Sequence, residues 1–165
     1  LGATTMLLFG FGWARPVPID ARRFKNPKAG MALSSLAGPV SNLLLAFFGL
    51  ALMRLVYFIL PDYMTPGFTF YLARYTILFL YMFAAMNTAL AIFNFLPVPP
   101  LDGSRILFSF LPTKLYFGIM KYERYIAAAI MILLFFGVLD KPLNFLIGQT
   151  LHGMGSLLGL DKFLW

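Results

Sequence analysis

Three polar side chains stand out against apolar surroundings: Asn42, Asn94 and Asp102. Asp102 falls near the end of Asn94-Phe-Leu-Pro-Val-Pro-Pro-Leu-Asp-Gly103, a stretch that closes a run without any charge from Tyr75 onward. An ionisable group at membrane depth is costly, and it faces a cavity or a partner. Pro97, Pro99 and Pro100 take away three backbone donors just before it. Opened backbone inside a bilayer persists only where it is buried in protein or lines a wet cavity. Asp102 therefore reads either as a functional carboxylate in such a cavity or as the N-cap of a helix starting at Gly103 or Ser104. The residues alone leave both readings open.

Asn42 follows Gly38 and Pro39 in Leu36-Ala-Gly-Pro-Val-Ser-Asn42, inside an otherwise apolar segment. Its amide requires partners, either across a helix interface or in a site. Asn94 has two comparable readings: it donates to a substrate carbonyl, or it satisfies backbone groups released by the prolines. His152 is the sole histidine. A catalytic zinc takes three protein ligands and an open position, which His152 and Asp102 do not provide between them. His152 reads as a packed or interfacial side chain.

The elements that must position these residues are membrane helices. The chain of 165 residues is 61% hydrophobic and only 12% charged, with a mean hydropathy of +0.83. A soluble domain carries about 25% charged residues. The net charge of +7 is no sign of nucleic-acid binding. Arg15, Arg22, Arg23, Lys25 and Lys28 form one cluster, and Lys114, Lys121 and Arg124 another. Both lie between apolar runs, as cytoplasmic loops do. With no cysteine, disulfides and thiolate metal sites are excluded.

The sequence thus predicts an all-α fold, a polytopic transmembrane helix bundle forming a single membrane-embedded domain over 1–165. Candidate spans cover 33–60, 71–96, 123–139 and 143–160. Trp13-Ala-Arg-Pro-Val-Pro-Ile-Asp20 alternates prolines, which forbids a helix and predicts a short extended, β-like segment near residues 12–20. Asp140-Lys-Pro142 is expected to form a tight outer turn between the last two spans. Two spans separate the basic clusters, so both fall on one side under this arrangement.

These motifs resemble those of a known family. Asn94-x-x-Pro97-x-x-x-Leu101-Asp102-Gly103 resembles the N-x-x-P-x-x-x-L-D-G signature of the site-2 proteases, the intramembrane zinc metalloproteases. Gly38-Pro39-x-x-Asn42 resembles their G-P-x-x-N motif, and Phe11-Gly-Trp-Ala-Arg-Pro-Val-Pro18 their extended segment. The resemblance implies an enzyme that hydrolyses peptide bonds of membrane-spanning or membrane-proximal protein substrates, as in regulated intramembrane proteolysis. It implies Zn2+ as cofactor and Asp102 as the third metal ligand. Asn42 and Asn94 then contact the substrate backbone or the developing oxyanion. It also implies an integral, multi-pass protein of the bacterial cell membrane, embedded in the lipid bilayer.

One departure matters. The family takes its other two ligands and its general base from H-E-x-x-H, where two histidines share one helix face. That motif is absent from these 165 residues. The chain starts with Leu1 rather than Met, so the expectation is that it is the C-terminal part of a longer protease and inactive alone. A pseudoprotease that binds membrane helices without cutting them is the alternative. A small transporter using Asp102 ranks third, because the sequence has no internal repeat and no second intramembrane acid.

Overall fold

A computed structural model describes residues 24–59 and 67–161. Six helices follow one another: α1 (Pro27–Ile59), α2 (Phe68–Phe95), α3 (Asp102–Phe108), α4 (Thr113–Met120), α5 (Glu123–Phe135) and α6 (Asp140–Leu157). No strand occurs among the described residues. The extended segment expected near residues 12–20 lies outside them.

α1 starts where its sequence says a helix should. Asn26 Oδ1 accepts a hydrogen bond from the Ala29 backbone N–H at 3.3 Å, and Pro27 takes the first helical position, where its missing N–H costs nothing. The helix then runs through Pro39. Gly38-Pro39 thus neither starts nor stops it, and the helix reaches further back than the expected 33–60. α2 covers the expected 71–96 segment as Phe68–Phe95, and it ends two residues before Pro97. By length and composition these two helices can each cross a membrane.

α1 and α2 pack along each other. Ala46, Leu50 and Met53 of α1 meet Leu80 and Ala84 of α2 in a buried cluster that also takes in Leu151 and Leu160. Gly49 permits the close approach: a Cβ there would stand 2.9 Å from the Phe83 ring and 3.4 Å from the Leu80 carbonyl oxygen.

The C-terminal third departs from expectation. The segments read as two further spans are α5, of 13 residues, and α6, of 18. They meet at an angle of 84°, so that together they make at most one broken span. The bend sits at Gly137, which has a φ of 69°. Asp140, Lys141 and Pro142 are not the turn but the first turn of α6. Acid and proline both suit a helix N-terminus, so the same residues fit either reading from sequence. α6 ends at Gly159, φ 65°. There the Leu160 N–H donates to the Gly155 carbonyl and the Gly159 N–H to that of Ser156, the left-handed glycine stop of many helices. Leu160 is fully buried in the α1–α2 core. The Gly159 turn lies beside the guanidinium of Arg54, near the C-terminal end of α1. α6 is thereby fixed to the bundle by its C-terminal end.

Candidate active site

After Phe95 the chain cannot continue as a helix, because Pro97, Pro99 and Pro100 supply no N–H. It turns tightly instead. The Val98 N–H donates to the Leu96 carbonyl at 2.8 Å, and the Leu101 N–H to that of Val98 at 2.9 Å. The Pro99–Pro100 peptide is cis. The turn delivers α3 back against both long helices.

Gly103 makes this return feasible. A Cβ at Gly103 would stand 2.3 Å from the Phe95 carbonyl oxygen and 2.6 Å from that of Leu96. Only a residue without a side chain lets α3 start so close to the end of α2. Ser104 beside it is buried and donates its hydroxyl to the Leu101 carbonyl at 2.7 Å.

Asp102 is the first residue of α3. Leu101 is the N-cap, and no side chain caps the helix. The capping explanation for the carboxylate therefore does not hold. Instead Asp102 Oδ2 lies 3.5 Å from the point a Cβ on Gly38 would occupy. The carboxylate is half-buried and has no hydrogen-bond partner among the described residues. Gly38 follows Ala29, where the α1 span starts, by nine positions. At 1.5 Å per residue the carboxylate stands roughly 14 Å along the helix from that end.

Asn42 lies one turn beyond Gly38 on α1, half-buried. Asn94 lies in the last turn of α2, next to Phe95, whose carbonyl bounds Gly103. The three elements that carry Asn42, Asn94 and Asp102 converge here, and no hydrogen bond joins the three side chains. Asn87 and Thr88 are set apart from them. Each donates to a carbonyl one turn back in α2, that of Phe83 or Ala84, at 2.8 Å. His152 is exposed on α6, with Nδ1 3.5 Å from Ser156 Oγ. α6 does not pack on α3.

This geometry can be tested against a zinc ion. A carboxylate that caps no helix, meets no described partner and faces the gap at Gly38 fits one oxygen ligand. Among the described residues no three His, Cys, Asp or Glu side chains lie together to hold a metal. Asp102 alone therefore does not make a metal site among the described residues.

Comparison with known proteins bears on these same elements. Residues 68–139, from the start of α2 through the Asp102 turn to the bend after α5, match the family described as peptidase family M50. The protein named "Putative zinc metalloprotease YwhC" from Bacillus subtilis (strain 168) is 40% identical over 124 residues, which is 75% of this chain. Both matches support membership of peptidase family M50, the site-2 proteases. The chain spans about half, 54%, of the relative it matches. No solved structure matches it. Sequence reasoning missed Ser35 of α1, which is buried with a hydroxyl that has no partner among the described residues. A serine in an apolar helix offers no signal until its surroundings are known.

Proposed function

We propose that this chain is the acid-ligand half of an integral, multi-pass zinc metalloendopeptidase of the bacterial cell membrane. The substrates are proteins that span the bilayer or lie against it. The observation that carries the reading is the approach of Asp102 to Gly38, which joins the L-D-G and G-P-x-x-N motifs at one point inside the long helices. The M50 match and the Bacillus relative support it.

In this reading Asp102 is the third zinc ligand, and an H-E-x-x-H helix outside these 165 residues supplies the other two with the general base. Zinc, when bound, polarises the scissile carbonyl and activates water. Asn42 and Asn94 hold the substrate backbone in register, their amides offering donors to its carbonyl oxygen as negative charge develops there. The proline turn keeps the carboxylate at a place where the backbone is open, so that water has access within the bilayer.

The single histidine favours a second reading, a relative that binds membrane helices without cutting them. Metal analysis of the whole purified protein separates the two. One zinc per protein, lost in Asp102→Asn together with cleavage of a membrane substrate, supports the protease. A wild-type protein without zinc, or full activity in Asp102→Asn, overturns it.

A further inference from the structure

Of the buried polar side chains in these helices, Asn87, Thr88 and Ser104 each donate to a backbone carbonyl. Ser41 donates to Ala37, Thr88 to Ala84 and Thr150 to Leu146, all one turn back at 2.7–2.8 Å. Buried Ser104 does the same with Leu101. Ser35 is the exception. It is 4% exposed, and its Oγ has no partner among the described residues. An unpaired hydroxyl in an apolar interior is costly, and a water-free bilayer offers nothing in compensation.

Its position gives the reason. Ser35, Pro39, Asn42 and Ala46 follow one another at helical spacing, and Pro39 and Ala46 are buried. Ser35 thus belongs to the stripe of α1 that faces its neighbours. Gly38 lies three residues further on, and Cβ positions at that spacing are about 5–6 Å apart. The Cβ position of Gly38 is 3.5 Å from Asp102 Oδ2. Ser35 therefore stands one helical step from a carboxylate that also has no described partner. Pro39 adds to this, since its missing N–H leaves the Ser35 carbonyl without the usual donor four residues on. A hydroxyl without a partner among the described residues and a carbonyl without its i+4 donor thus lie at one point beside the site, and together they also suit a single bridging water.

We propose that Ser35 is a positioning residue for the Asp102 carboxylate. Its hydroxyl donates, directly or through one water, to the carboxylate oxygen that does not bind metal, and so fixes the orientation of the other. Ligating carboxylates are commonly held in this way, and loss of the holding group weakens metal binding about 10–100-fold. The inference rests on the proposed function, because it takes Asp102 as a zinc ligand.

The test is zinc release from the whole protein into excess chelator, followed beside its helical circular dichroism. Ser35→Ala is expected to release zinc about 10-fold faster with unchanged helicity. Ser35→Thr, which keeps the hydroxyl, is expected to restore slow release. Wild-type release kinetics in folded Ser35→Ala would overturn the proposal while leaving Asp102 as ligand. Should Ser35→Ala lose its helicity, Ser35→Cys, close in shape and a weaker donor, is held to the same criterion. A wild-type protein that carries no zinc overturns the proposed function and this inference with it.

Discussion

Asp102 and Gly38 face each other across the α1–α3 contact, with the carboxylate oxygen 3.5 Å from the point where a side chain on the glycine would begin. The distance is that of ordinary van der Waals contact, so one methyl group fits there without displacing the carboxylate. Gly38→Ala is expected to fold normally and keep its zinc. Gly38→Leu fills the gap and turns the carboxylate away, with a loss in zinc affinity of at least about 10-fold at unchanged helicity. Metal titration of the two variants decides it, and equal affinities would show that the gap does not matter.

Gly103 has no such tolerance. A methyl group there would press into the backbone carbonyls of Phe95 and Leu96, which cannot rotate aside as a side chain does. Gly103→Ala is expected to cost about 1–3 kcal/mol of stability and to shift α3 with Asp102. Unfolding in detergent, followed by circular dichroism, measures the first effect and zinc content the second.

Asn94 separates from Asp102 by its kinetic signature. Asn94→Ala is expected to lower turnover by about 10²–10³-fold, as the loss of one oxyanion donor does, while zinc content stays near wild type. Unchanged turnover would return Asn94 to a structural role at the end of α2.

The path of the C-terminal helices has a direct readout. The Gly159 turn lies beside Arg54, so Asp161 is expected on the same face of the membrane as Gly67, which precedes α2. The chain has no cysteine, so single cysteines give clean labels. In sealed vesicles an impermeant thiol reagent should modify Gly67→Cys and Asp161→Cys from one face, and Lys114→Cys and Lys121→Cys from the other. Asp161→Cys labelling together with Lys121→Cys would favour four crossings.

Leu160, which is fully buried, anchors α6 together with Leu151. Leu160→Ala is expected to destabilise the protein by about 2–5 kcal/mol, read as a lower midpoint of thermal unfolding. A midpoint unchanged from wild type would mean that α6 is held elsewhere.

Part of this was legible in the residues. Three prolines after Phe95 announce the end of α2, because each one lacks a donor. The approach of Gly38 to Asp102 was not legible, because nothing in the spacing of the two residues brings them together. Other features were hidden for physical reasons. One missing N–H at Pro39 does not stop a helix whose buried stripe continues on both sides. The α5–α6 bend turns on the positive φ of Gly137 within uninterrupted apolar sequence. Asp102 looks like an N-cap by residue type, and only the backbone shows that Leu101 takes that place.

The seating of α3 on both long helices bears on the bilayer itself. A helix as long as α1, 33 residues, extends about 50 Å at 1.5 Å per residue, against a hydrocarbon thickness of about 30 Å. It meets thinner or thicker lipid by tilting. Because Gly103 holds α3 to the end of α2, and Asp102 lies against Gly38 of α1, such tilting carries the carboxylate along with its surroundings. The distance from that group to the lipid surface then changes with membrane composition, while the geometry around it does not. Under the proposed function, lipid thickness would select which peptide bond of a substrate arrives at the site, and leave the chemistry there untouched.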